Sequence, residues 1–119
     1  MIYDENNIFA KILRGEISPK LVEETAHSLA FLDHAPKAPH HILVIPKGKY
    51  TSFDDFSAKA SDAEIADFTK LVGKRAREAG LAESGYRLIA NHGVNGGQEV
   101  PHFHVHILGG EKLGPMLGN

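Results

Sequence analysis

The segment His102-Phe103-His104-Val105-His106-Ile107-Leu108 constrains the fold more than any other part of the sequence, because imidazole and apolar side chains alternate strictly along it. Side chains of a β-strand point alternately to the two faces of its sheet. The pattern therefore predicts a strand from Val100 to Leu108, with three histidines on one face and Phe103, Val105 and Ile107 on the other. Alternate Cα atoms in a strand lie roughly 6.7 Å apart, so the imidazoles form a ladder.

Short apolar runs separated by turn residues predict four further strands. They lie at Leu21-Val22, Leu29 to Leu32, Ile42 to Ile45 and Tyr86 to Ala90. The four consecutive aliphatic residues that end at Pro46 are typical of a central strand buried on both faces.

Two helices are expected beside these strands. A short one has apolar residues at helical spacing after potential caps at Asn6 and Asn7, namely Ile8, Phe9, Ile12 and Leu13. A long one begins at the capping box Ser61-Asp62-Ala63-Glu64 and ends at Gly80. Its apolar stripe consists of Ile65, Phe68, Val72, Ala76 and Ala79. Leu71 falls outside this stripe, so we expect it to be exposed, either as an isolated apolar residue or in a contact with a partner subunit.

The expected strands and helices together predict an α+β fold, in which a long helix packs on an antiparallel sheet.

Length and charge exclude several classes of function. A chain of 119 residues with a formal net charge of -2 fits one domain and has no basic surplus for binding a nucleic-acid backbone. It contains no cysteine, which excludes disulfides, thiolate zinc sites and a cysteine nucleophile. An acidic start and the lack of a long apolar run argue against a signal peptide and a membrane span. We therefore expect a cytoplasmic protein.

The histidine ladder is compatible with two kinds of chemistry. Zinc requires imidazole nitrogens about 2.0 to 2.1 Å from one ion, so binding by all three histidines would strain a stiff strand. Two of them together with His40, His41 or His92 form a feasible zinc site. A nucleophile needs only one neutral imidazole with a free nitrogen, whose other N–H is held by an acceptor. The central position favours His104 for that role, with the flanking imidazoles binding negative oxygens or donating a proton.

A glycine-rich loop lies directly before the ladder, from Asn91 to Gln98. Adjacent glycines let backbone N–H groups approach an anion, although Asn95-Gly96 alone is also typical of a hairpin turn. Beside a histidine nucleophile, the loop favours a phosphate cradle and attack at phosphorus.

A second histidine tract, His40-His41, opens the strand that ends at Pro46. By parity, at least one of the two rings is partly buried and needs a hydrogen-bond partner. Two interpretations stay open: a satisfied core histidine, or a His41 that reaches the ladder from a neighbouring strand and orients it.

These features resemble the histidine triad (HIT) superfamily, and in particular its Hint branch of nucleotide-binding phosphoramidases. The resemblance spans nearly the whole chain. It is carried by Ile8-Phe9 to Ile17, Phe31-Leu32-Asp33, Ala35-Pro36 through Pro46, Gly85-Tyr86-Arg87, Asn91, Gly96-Gly97-Gln98, the ladder, Gly109-Gly110 and Leu113-Gly114-Pro115-Met116. It implies one HIT domain over residues 1–119, a five-stranded antiparallel sheet with one long and one short helix, and a homodimer with a ten-stranded sheet.

The reaction implied by this resemblance is hydrolysis of a purine nucleoside 5′-phosphoramidate or an aminoacyl-adenylate to AMP or GMP. A nucleotidyl-histidine forms at the α-phosphorus and water then cleaves it, without a metal or cofactor. In this scheme His104 is the nucleophile and the main-chain carbonyl of His102 holds its far N–H. His106 contacts the phosphate, and His41 braces His102.

The resemblance also implies a nucleotide-binding surface. Asp33 matches the acid that binds the ribose hydroxyls, and the apolar slot for the base is matched by Ile8, Phe9, Ile12, Ile17 and Phe31. Groups near the sugar and the phosphate are matched by Asn91, Gly97, Gln98 and the N–H of Val100. Glu99 stands where animal Hint proteins place a serine near the leaving group, which leaves the proton donor open.

Two other functions fit the same residues. In the first, the triad recognises phosphate without catalysis, as in a nucleotide-binding regulatory module. In the second, the histidines hold zinc in a zinc-dependent protein.

Overall fold

Residues 2–118, the part of the chain that the computed structural model describes, form an antiparallel sheet of five strands in the order β1-β2-β3-β5-β4. The expected sheet is thereby confirmed. The strands are β1 (Lys20–Glu24), β2 (Ser28–Leu32), β3 (His40–Pro46), β4 (Tyr86–Ile89) and β5 (Val105–Gly109). The most apolar strand, β3, lies at the centre between β2 and β5.

Three helices accompany the sheet in the described residues: α1 (Ile8–Leu13), α2 (Phe53–Lys59) and α3 (Asp62–Glu78). The sequence predicts α1 and α3, whose N-caps are Asn7 and Ser61 as expected, but it does not predict α2. None of the helices within residues 2–118 is long and apolar enough to cross a membrane.

Both faces of β3 are buried, as its aliphatic sequence predicts. Ile42 and Val44 belong to an apolar cluster that includes α3 and Ile107 of β5. The alternate residues of β3 pack on the opposite face against α1, in a second cluster that comprises Phe9, Leu29, Phe31, Leu43 and Ile45. The sheet is therefore covered on one face by the long helix and on the other, over a smaller area, by the short first helix.

The expected exposure of Leu71 is wrong. This side chain is 2% exposed and belongs to the cluster between α3 and the sheet. Phe56 of α2 belongs to the same cluster, so the sheet and α2 together cover a wider arc of α3 than the sheet alone would. The apolar stripe of α3 is broader than the one that its strongest periodicity marks.

The strand that carries the histidines begins at Val105, not at Val100 as expected, so His102 and His104 precede it. Val105 is paired with Val44 of β3, and two residues further along β3 comes Pro46, which has no N–H to donate. The Phe103 N–H donates instead to the Tyr50 carbonyl at 2.7 Å. The apolar and histidine side chains keep to opposite faces of the sheet before the strand begins. Phe103 lies in the cluster on the α3 side, whereas His102 and His104 lie near the ring of Phe9 on the α1 side.

Candidate active site

His104 is held through one ring nitrogen and has the other available. Its Nδ1 donates to the main-chain carbonyl of His102 at 2.7 Å, as the family resemblance implies. Because a carbonyl only accepts, Nδ1 carries the proton and Nε2 carries the lone pair. Burial lowers the pKa of His104, so the ring is neutral near pH 7. Among residues 2–118, no group forms a hydrogen bond with Nε2.

His102 is anchored through both of its ring nitrogens and is fully buried. Its Nε2–H donates to the Pro46 carbonyl at 2.8 Å, which leaves Nδ1 as an acceptor for the Tyr3 hydroxyl at 2.5 Å. Burial lowers the pKa of His102 to about 4, so this ring is also neutral. The side chain does not line the cleft described below, so His102 serves His104 through its main-chain carbonyl.

His41 and His106 form a hydrogen-bonded pair whose proton positions are set from outside. The N–H of Lys37 donates to His41 Nδ1 at 3.0 Å, so the proton of His41 resides on Nε2. His41 Nε2–H then donates to His106 Nδ1 at 2.8 Å, and His106 in turn carries its proton on Nε2. Burial lowers the pKa of His106 to about 4. A neutral N–H donor is therefore available at His106.

The expected contact between His41 and His102 is wrong. In the register of β3 and β5, Leu43 lies opposite His106 and His41 lies opposite Leu108. The His41 ring therefore meets His106, whereas His102 precedes the paired part of β5. The two interpretations of His41 are reconciled, because its side chain is a satisfied, buried histidine that also orients a member of the ladder.

A cleft of about 500 Å³ lies beside His104 and His106, a size suited to a small-molecule ligand. One wall is apolar and includes Phe9, whose ring meets that of His104 edge-on with centroids 5.0 Å apart. Of the residues expected at the site, the cleft is lined by Ile8, Phe9, Ile12, Phe31, Asp33, His41, Asn91, Gly97, Glu99, Val100, His104 and His106. The apolar and polar parts of the expected site are therefore brought together.

Two expected binding residues, Ile17 and Gln98, lie outside this lining. Ile17 follows the end of α1 and is 36% exposed. The Gln98 side chain is occupied within its own loop and with the neighbouring chain, since its amide accepts from Gly93 N at 3.1 Å and donates to Thr51 O at 2.7 Å. Gln98 stabilises the loop that forms one side of the cleft.

The glycine-rich loop is a tight turn whose amides are largely used internally. Gly97 has φ +72°, a left-handed conformation that favours glycine, and its N–H donates to Val94 O at 3.1 Å. Asn91 Nδ2 donates to Gly96 O at 2.6 Å. The N–H of Val100 has no hydrogen-bond acceptor within the described part of the chain. Among the amides expected to bind phosphate, the one at Val100 is therefore the available donor.

Two carboxylates and one ammonium group surround the neutral imidazoles. Asp33 Oδ1 accepts from Ala35 N at 2.8 Å, and its Oδ2 lies 3.5 Å from His41 Nε2. Glu99 lines the cleft on the loop side, and Lys37 Nζ donates to Ala35 O at 3.0 Å. The cleft thus offers N–H donors for an anion, with no surplus of positive charge.

Asp33, His41 and His106 also form a potential metal-binding group, with one ligand atom from each within 4.8 Å of the others. This differs from the sequence-based zinc alternative, because it contains one ladder histidine rather than two. His41 Nε2 and His106 Nδ1 are 2.8 Å apart, closer than the roughly 3.3 Å that tetrahedral zinc imposes on two nitrogen ligands. The close pair is a hydrogen bond, and a metal would have to displace its proton and separate the rings.

Two contacts of the site, those of Tyr3 and of the Lys37 amide, are not predictable from the sequence. Tyr3 precedes His102 by 99 residues, and no periodicity links the start of the chain to the ladder. Lys37 acts through its main-chain N–H, so its side chain carries no signal of the role. Such contacts follow from the tertiary fold.

Comparison with known proteins gives concordant matches. Residues 14–113 match the HIT domain family. A 13.2 kDa HIT-like protein of Azospirillum brasilense is 59% identical over 97% of this chain and 94% of its own length. The purine nucleoside phosphoramidase of Escherichia coli K12 is 44% identical over 97% of this chain and 96% of its own length. A histidine triad protein from Clostridium difficile has a similar structure, with a TM-score of 0.82 and 42% identity over 96% of this chain and 98% of that one.

Proposed function

The chain belongs to the HIT domain family, and from that premise we propose that it hydrolyses the P–N bond of purine nucleoside 5′-phosphoramidates. Aminoacyl-adenylates are the alternative substrates. The observation that carries the proposal is the neutral His104 ring, with Nδ1–H bound to the His102 carbonyl and Nε2 unpaired among the described residues. The related phosphoramidase of Escherichia coli supports the choice of substrate class.

In the first step, the Nε2 lone pair of His104 attacks the α-phosphorus of the nucleotide. A bond forms between Nε2 and phosphorus, the bond from phosphorus to the leaving nitrogen breaks, and the departing amine takes up a proton from solvent water. The Nδ1–H bond to the His102 carbonyl stabilises the positive charge that the His104 ring acquires. In the second step, water attacks phosphorus, the bond between Nε2 and phosphorus breaks, and the proton lost by the water returns to the solvent. The nucleoside monophosphate leaves, and His104 is restored to its neutral form.

The remaining groups of the cleft bind and orient the nucleotide in this proposal. His106 Nε2–H and the Val100 N–H donate to phosphate oxygens that gain charge during the attack. Asp33 accepts hydrogen bonds from the ribose hydroxyls, and the apolar wall around Phe9 and Phe31 binds the base. Burial lowers the pKa of His104 and so preserves the nucleophile, because protonation of its ring would remove the lone pair.

Rapid quench with an adenosine phosphoramidate labelled in the nucleotide, followed by mass mapping, tests the proposal. We expect a nucleotidyl adduct on His104 and release of AMP. His104→Ala should fold, bind AMP and lose turnover, with His27→Ala as a control on a histidine that lies outside the cleft lining. Turnover by the His104→Ala variant would refute the proposed nucleophile.

The same measurements separate the two alternatives. A regulatory nucleotide-binding module would bind AMP, yet no phosphoramidate would be hydrolysed and no adduct would form. A zinc-dependent protein would lose activity on treatment with a chelator, and purified protein would contain stoichiometric zinc by elemental analysis. We expect activity to withstand the chelator.

A further inference from the structure

Tyr3 connects the beginning of the chain to the triad. Its hydroxyl lies 2.5 Å from His102 Nδ1, and its ring meets the His102 ring edge-on with centroids 5.6 Å apart. Because the Pro46 carbonyl holds the proton of His102 on Nε2, Nδ1 can only accept, and Tyr3 is the donor. Burial raises the pKa of Tyr3, so the hydroxyl keeps its proton at neutral pH.

The backbone that carries the nucleophile lies outside the hydrogen-bonded strand. Strand β5 begins at Val105, so the hydrogen bonds between β3 and β5 do not fix the orientation of the His102 carbonyl. The neighbouring Phe103 N–H is held by Tyr50 O at 2.7 Å, and the His102 ring is held by its two nitrogens. These anchors determine where the His102 carbonyl points, and that carbonyl holds Nδ1–H of His104.

The position of Tyr3 is itself well determined by the residues that follow it. Asp4 O accepts from Asn7 N at 3.2 Å and from Asn7 Nδ2 at 2.7 Å, and Asn7 caps α1. Glu5 forms an ion pair with Lys49 at 2.7 Å. The turn over residues 4–7 and the ion pair of Glu5 with Lys49 hold the segment before α1 in place. The Tyr3 hydroxyl is thereby placed beside the buried His102 ring.

We propose that Tyr3 is a positioning residue for the nucleophile: its hydroxyl fixes the His102 ring, and through the His102 carbonyl it fixes the direction of His104 Nε2. This proposal rests on the proposed role of His104 in the hydrolysis. Neither Tyr3 nor the His102 side chain lines the cleft, so the effect of Tyr3 falls on the chemical step and not on binding of the nucleotide.

Tyr3→Phe removes the hydroxyl and keeps the ring, and Tyr86→Phe is the matched control. Tyr86 lies in β4, is 40% exposed and does not line the cleft. We expect kcat for an adenosine phosphoramidate to fall about tenfold in Tyr3→Phe, the scale of a small misplacement of a reacting group. KM should stay within about twofold in both variants, and kcat should be unchanged in Tyr86→Phe.

Ring ¹⁵N NMR of the ligand-free protein gives a readout independent of activity. In the wild-type protein, His102 should be protonated on Nε2 and His104 on Nδ1. In Tyr3→Phe, the His102 Nδ1 resonance should shift as the hydrogen bond is lost, and the His104 Nδ1–H should exchange faster with water. Tyr86→Phe should retain the wild-type spectrum for both rings.

Three results would overturn the proposal: a Tyr3→Phe variant with the kcat of Tyr86→Phe, a fall in activity confined to KM, or wild-type His102 protonated on Nδ1. The last can be observed even if Tyr3→Phe does not fold. If the wild-type protein cleaves no phosphoramidate, the proposed function fails, and the NMR comparison alone decides whether Tyr3 orders the two histidines.

Discussion

At the residue scale, three main-chain groups determine the protonation of four histidines. The Lys37 N–H sets the tautomers of His41 and His106, the Pro46 carbonyl sets that of His102, and the His102 carbonyl sets that of His104. Main-chain donors and acceptors do not titrate, so this arrangement stays the same across the physiological pH range. The result is a nucleophile with a free lone pair beside a neutral N–H donor.

His41→Phe tests the connection between Lys37 and His106. The phenyl ring keeps most of the packing but leaves His106 Nδ1 without a donor, so Nε2 is no longer held as the protonated nitrogen. We expect kcat/KM to fall by about 10²-fold, the lower end of the range for loss of a positioned proton donor. His40→Phe is the control, because His40 is exposed and does not line the cleft. Equal activities of the two variants would contradict the connection.

The pH dependence of stability follows from the buried imidazole of His102. Its pKa is about 4 in the folded protein and about 6.5 when unfolded, so the unfolded chain binds more protons between these values. The free energy of unfolding should therefore decrease as the pH falls below about 6.5, by about 2 kcal/mol at pH 5 from this residue. Urea unfolding at pH 7.5 and 5 measures the change, and an NMR titration in which His102 is charged at pH 5 would contradict its assignment.

At the element scale, the capping box of α3 should contribute to stability but not to activity. Ser61 Oγ accepts from Glu64 N at 3.1 Å, and the Glu64 carboxylate accepts from Ser61 N at 3.0 Å. Ser61→Ala should lower the free energy of unfolding by about 1 kcal/mol, as measured by urea denaturation. Ser57→Ala in α2 is the control, because Ser57 is exposed and bonds only within its own helix. An effect of Ser61→Ala no larger than that of the control would show that the cap is unimportant.

The helices and strands differ in how far the sequence predicts them. The strands around β3 have distinct apolar runs, and α3 has strong helical periodicity and a capping motif, so the local sequence predicts these elements. The helix α2 is only seven residues long, and its N-terminal cap uses Asp55, which accepts from Ser52 N at 2.8 Å. The combination Ser52-Phe53-Asp54-Asp55 was a usable signal, but a short helix with few apolar residues carries little periodicity.

The candidate site was predictable where its residues belong to one segment and not where they meet through the fold. Alternation in the ladder was sufficient to single out His104, and the resemblance added Asp33 and the apolar wall. The partner of His41 depends on the register between β3 and β5, which the sequence does not reveal, and the point at which β5 starts depends on Pro46. The contact of Tyr3 required the path of the whole chain.

At the scale of the whole molecule, the two edges of the sheet differ in a way that bears on assembly. Strand β4 is an edge strand, and Tyr86 and Leu88 alternate along it, 40% and 49% exposed. The opposite edge, β1, has Leu21 at 56% exposure, but its register is interrupted between Leu21 and Glu23. An irregular edge is unsuitable for regular pairing with another strand. We therefore propose that the homodimer implied by the family resemblance forms through β4.

Two charge substitutions distinguish the edges. Sedimentation or light scattering should give the wild-type protein a mass near twice the 13.0 kDa of one chain. Leu88→Lys places an ammonium group on β4 and should convert the dimer to monomer, since burying an unpaired charge is strongly unfavourable. Leu21→Lys places the same group on β1 and should leave the mass unchanged. Dissociation by Leu21→Lys with retention of the dimer in Leu88→Lys would assign the interface to β1, and a monomeric wild-type protein would exclude both arrangements.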